Sequence, residues 1–152
     1  MRGQARLVIA ALLLSSSVFG ALSADVERLA RLLIPALMAH QFASACQSRD
    51  PDFASEVGGF PAVEAFSERV RGSVLAGLSP AHARTVLLSA AAAARNAAVS
   101  EVRALAHSSA DEENRRLDRW CDRSAEPFVR TIIERHEQQQ ETFRQEIARA
   151  KS

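Results

Sequence analysis

Apolar residues recur along this chain in steps of three and four, and nowhere in sustained alternation, so the predicted elements are helices. From Asp25 to Gln47, Leu29, Leu32, Leu33, Ala36, Leu37, Ala39, Ala43 and Cys46 keep that spacing over a broad arc. An arc so wide predicts a central helix rather than a half-exposed one. Pro35 lacks an N–H and crowds the preceding turn, which predicts a kink there. Ala36, Ala39, Ala43 and Cys46 form a small-residue strip on which another helix can approach closely.

Residues 48–61 carry Pro51, the Gly58–Gly59 pair and Pro61, and read as the one long loop. Helical spacing returns from Ala62 to Leu78 through Val63, Phe66, Val70 and Val74. Ser79-Pro80 then starts the next helix, because serine caps orphan N–H groups and proline at the first position loses no bond. That helix extends to about His107, with Leu87, Ala91, Ala94, Ala98, Val102 and Leu105 predicted to face inward. Ser109 and Glu112 have capping-box spacing, and Asp111, Glu112 and Glu113 favour the positive end of the helix dipole. Leu117, Cys121, Ala125, Phe128 and Ile132 then form a stripe that crosses Pro127 in phase, so one long kinked helix is expected.

The fold class that follows is all-α: a small, mostly antiparallel bundle of about four helices. Beyond Ile133 the chain turns polar, and Phe143 and Ile147, one turn apart, are its last large apolar residues. Residues 139–152 therefore read as a helical tail appended to a 25–138 domain. Phe143 and Ile147 are its candidate partner contacts.

The pattern breaks at the other end. Residues 1–24 place Arg2 and Arg6 before the unbroken apolar run Leu7–Leu14, with small residues at Ala21 and Ser23. This is the plan of a secretory signal peptide, cut after Ser23 or Ala24. Its apolar run is shorter than the roughly 20 residues of a spanning helix. Cleavage removes two of 19 basic residues and none of 18 acidic ones, turning a net charge of +1 into −1. The expected product is exported, periplasmic if the source is Gram-negative and secreted otherwise, with no stable membrane span left. So even a charge balance argues against a nucleic-acid partner. Export also changes the reading of Cys46 and Cys121, the only two cysteines. An oxidising compartment predicts that they pair, and no CxxC or CxxCH motif offers them other work.

Candidate chemistry is sparse. Glu134, Glu137 and Glu141 share a helix face beside His136, and such a set can hold a metal ion with help from a second helix. The plainer reading is a solvated face with Arg130, Arg135 and Arg144 as weak ion-pair partners. Met38 and His136 are the one pair suited to axial ligation of haem b, although methionine on a helix usually fills core. No nucleophile elbow, phosphate loop or dinucleotide fingerprint is present. Leu78-Ser79-Pro80-Ala81-His82 resembles the LTxxQ motif of small helical periplasmic stress proteins, with Ser for Thr and His for Gln. That resemblance spans five residues, identifies no family, and implies a dimeric, chaperone-like protein. The expected function is that of a non-enzymatic exported protein acting on another protein or on itself, with no cofactor. A small metal- or cofactor-binding protein is the alternative.

Overall fold

The computed structural model describes residues 5–151, with side chains from Ala24 onward, so the side chains of the expected leader lie outside the described residues. Helix α1 covers Ala5–Cys46, α2 Gly59–Gly77, α3 Pro80–Arg103, α4 Ala110–Trp120, α5 Glu126–Gln138 and α6 Gln140–Lys151. A single 3-10 turn, Ser55–Val57, lies in the 47–58 connection, which is shorter than the expected 48–61 loop at its end because α2 begins at Gly59, and no strand occurs among the described residues. Within α1, Ala24–Cys46 is long and apolar enough to cross a membrane, yet half of its apolar window is buried against the rest of the fold. The helix contacts α2, α3, α5 and α6. Its apolar character is that of a core helix, as the broad arc predicted except at Leu32, which is 47 % exposed.

The small-residue strip of α1 is fully enclosed: Ala36, Ala39, Ala43 and Cys46 are all buried. Helix α1 packs most extensively against α3, whose inner face is Ala83, Val86, Ala90, Ala94 and Ala98. This differs from the expected inner face. Leu87, Ala91, Val102 and Leu105 are only partly buried, because the helix is turned so that its smallest residues meet α1. An alanine-rich helix is apolar on nearly every side, and close backbone packing selects the phase with least bulk.

Ser79 caps α3 as predicted, its Oγ accepting from the His82 N–H at 3.3 Å. Ser109 likewise accepts from the Glu112 N–H at 3.5 Å. The reciprocal half of that capping box is absent. The Ser109 N–H donates to His107 Nδ1, and the Glu112 carboxylate turns to Arg115, Arg116 and Arg119. Those three guanidiniums, Arg115 first, hold the Glu112 pKa down at about 2.

From Ala110 to Gln138 the helix is continuous but passes through a π-helical turn, Cys121–Ala125, in which the Glu126 N–H donates to the Cys121 carbonyl. Pro127 is the reason. It lacks the N–H that would bond the Arg123 carbonyl and its ring crowds that turn, so one widened turn absorbs the mismatch. Here the expected disulfide forms: Cys46 and Cys121 are joined, tying the end of α1 to the π-turn. Phe42 packs edge-on to Trp120 at 4.8 Å and beside Phe128 at 5.1 Å. Arg49 donates to Asp118 at 2.8 Å and to Asn114 at 2.6 Å.

The C-terminal segment corrects the expected projecting tail. The long helix is interrupted at Gln139, whose backbone leaves the helical region (φ −112°, ψ 19°), and α6 continues past this break along α1 and α2. Ile147 and Ala150 are buried, and Arg28 of α1 reaches Glu146 at 3.8 Å. The break uses neither glycine nor proline. It is held by tertiary contacts: His136 against Phe143 at 5.0 Å, and Ile147 over Gly77 of α2.

Candidate functional site

The residues singled out for metal are not brought together. His136 points inward, half-buried, with its ring between Phe66 at 5.2 Å and Phe143 at 5.0 Å. Burial, and then the positive charge of Arg69, lower its pKa. Glu141 faces Arg144 at 3.2 Å, while Glu134 and Glu137 are exposed on α5. Among the described residues no three His, Cys, Asp or Glu side chains converge as a metal site. Met38 is packed against the core of α1. The two residues expected to meet a partner are occupied within the chain: Ile147 is buried on α2, and Phe143 packs on His136 and the core. Packing of α6 along α1 and α2 is the physical reason, since a side chain spent on its own core presents no docking stripe.

The surface that does stand open is on α3. Turned with its alanines toward α1, this helix presents Arg84, Leu88, Ala92, Arg95, Val99 and Arg103 outward, all exposed, in steps of 4-4-3-4-4. These positions fall on one face of about 28 Å length at the α-helical rise. Leu88 is 65 % exposed and Val99 45 %, two of four large apolar residues so exposed among the described residues. Arg84, Arg95 and Arg103 enter no ion pair among the described residues. Arg28, Arg31, Arg49, Arg115, Arg116, Arg119, Arg130, Arg144 and Arg149 have carboxylate partners, whereas Arg69, Arg71, Arg123 and Arg135 have none among the described residues either; the α3 arginines differ in sharing one face with Leu88 and Val99. The one acidic residue of α3, Glu101, lies about a third of a turn or more away from this face at 100° per residue.

At its C-terminal end the face runs into a cleft of about 440 Å³ between α1, α3 and the start of α4. Phe42, Ala45, Ala98 and Val102 supply an apolar lining, with Arg103 and Glu113 beside it. Glu113 is fixed by accepting from the His107 N–H at 3.1 Å. The cleft therefore offers an apolar seat flanked by one positive and one negative group, an arrangement suited to binding. A different charge pattern surrounds the π-turn, where burial and then the negative charges of Asp50, Glu56 and Asp122 raise the Glu126 pKa. Arg130 answers that cluster through its ion pair with Glu56.

Sequence reasoning passed over the α3 face because it placed the helix in another phase. The signal was present as the regular return of arginine, leucine and valine at 84, 88, 95, 99 and 103. No protein-family model, no curated protein and no solved structure matches this chain.

Proposed function

We propose that this chain is an exported, non-enzymatic antiparallel helical bundle that works by contact with another protein, through the outer face of α3. One observation carries the reading: exposed Leu88 and Val99 lie in register with three arginines that have no ion-pair partner. Arginines interleaved with large aliphatic side chains offer a partner fixed charge and apolar anchors on one face. Export is supported by the apolar N-terminal helix and by the Cys46–Cys121 bridge, which persists in oxidising compartments. No observation favours a metal or haem site over this.

The test is photo-crosslinking in the source cell, with a photoreactive residue at position 88, 99 or 75. Leu75 is an exposed leucine on α2, 60 % accessible, and serves as the control. Positions 88 and 99 should give a discrete adduct with a second protein that position 75 does not. Equal or absent adducts at all three would remove the contact reading. Sequencing the N-terminus of the same exported material should begin at Ala24 or Asp25, and a start at Met1 would remove the cleaved leader.

A further inference from the structure

We infer that the outer face of α3 receives an acidic amphipathic helix of a partner protein; this rests on the contact role proposed above and specifies its chemistry. The charges decide the sign. Arg84, Arg95 and Arg103 line the face, no acidic side chain of α3 shares it, and no carboxylate among the described residues pairs with them. Electrostatic complementarity then selects a partner with Glu or Asp at matching intervals.

Geometry decides the shape. The exposed positions form a straight ridge with small Ala92 between Leu88 and Arg95, so a second helix can lie close along it and pack its own ridge into the gap. At the end of the ridge the cleft over Phe42 and Val102 accepts one bulky apolar side chain; Arg103 and Glu113 flank it with opposite charges, so the preference for an acidic helix rests on Arg84 and Arg95. Helix-in-groove recognition uses this combination of spaced apolar anchors and flanking charge. An anionic lipid surface matches the charge but not the relief. Membrane-surface helices carry a continuous apolar face, commonly with aromatic anchors. Here Leu88 and Val99 are separated by Ala92 and Arg95, no aromatic is exposed on the face, and its apolar end is a concave cleft.

The experiment uses the full disulfide-bonded chain and a synthetic helical peptide of about 20 residues, long enough to span the face. The peptide carries leucines at helical spacing flanked by glutamates; a second peptide replaces every glutamate by lysine, and vesicles containing phosphatidylglycerol provide a lipid arm. The glutamate peptide should bind saturably and the lysine peptide should not. The double variant Arg84→Glu/Arg95→Glu should bind the glutamate peptide at least roughly tenfold more weakly and gain affinity for the lysine peptide. Val99→Asp should weaken binding, whereas Leu75→Asp should leave it unchanged. These positions are exposed, and circular dichroism of each variant verifies that its fold is retained. Arg84→Gln/Arg95→Gln gives the same comparison without charge reversal. Equal binding of both peptides, binding to vesicles in place of the peptide, or indifference to the arginine substitutions would each overturn the inference. A failed peptide with persistent crosslinks from 88 and 99 would discard the acidic helix and keep the contact reading; failure of both discards both.

Discussion

His136 shows how one residue can carry the marks of a ligand and serve as packing. Its ring lies between Phe66 and Phe143, and taking an imidazole out of water disfavours its charged form. Arg69 adds repulsion to that cost, so the folded-state pKa lies below the ordinary 6.5. The unfolded chain then binds more protons than the folded one in the window below 6.5. Stability must rise with pH through that window and level off above it. Denaturant titrations between about pH 5 and pH 7.5, where histidine changes charge, should show this slope. His136→Phe, which keeps a ring between the two phenylalanines, should flatten it. An unchanged slope in the variant would mean that another group sets the dependence. Glu112 acts below this window: its pKa is lowered from 4.5 to about 2, so the stability from its ion pairs is lost as pH falls from about 4.5 toward 2.

The helices themselves were legible because each has a local cause. Ser79-Pro80 and Ser109 start α3 and α4 through caps that depend on two or three neighbouring residues. The stripe crossing Pro127 in phase identified one long helix, and the structure adds the π-turn that lets it pass. What local pattern did not reveal were the choices made by packing. The alanines of α3 leave its phase open until α1 selects it, and that choice exposes Leu88 and Val99. Gln139 breaks the last helix without a breaker residue, and Phe143 and Ile147 hold α6 against the body beyond the break. Its docking depends on Gly77: a Cβ there would stand 2.2 Å from Ile147 Cγ2, a branched methyl that has little rotamer freedom. In an ordinary helix, glycine to alanine is stabilising by about 1 kcal/mol. Here Gly77→Ala should instead destabilise, by about 1–3 kcal/mol, the usual cost of overpacking. The sign should revert in a chain ending at Gln138, where Ile147 is gone. Urea unfolding of the four proteins completes the comparison. Stabilisation by Gly77→Ala in the full chain would place α6 off α2.

At the scale of the whole molecule, the disulfide joins two parts that otherwise meet over a small area. Helix α4 has a single buried residue, Trp120, and stands against the body through Trp120 on Phe42 and the Arg49 bonds to Asp118 and Asn114. The bridge sits at that junction, closing a sequence separation of 75 residues. Chain-entropy reasoning assigns such a closure about 4 kcal/mol, acting mainly by restricting the unfolded state. The same bridge has a local consequence. Phe42 and Ala45 of the cleft lie within a turn or so of Cys46, and Glu113 enters the cleft from α4. Cys46→Ala/Cys121→Ala should therefore retain its helical circular dichroism while losing about 2–4 kcal/mol of stability. Native-state hydrogen exchange should show where the hold is lost. Amides of α4 should exchange faster in the variant, while those of α1 and α3, buried along their alanine faces, should change only by the global loss. Non-reducing peptide mapping of the parent should recover the Cys46–Cys121 link. If the variant unfolds at the same urea concentration as its parent and α4 keeps its protection, aromatic packing and the Arg49 bonds alone hold that junction, and the bridge does not set the shape of the cleft.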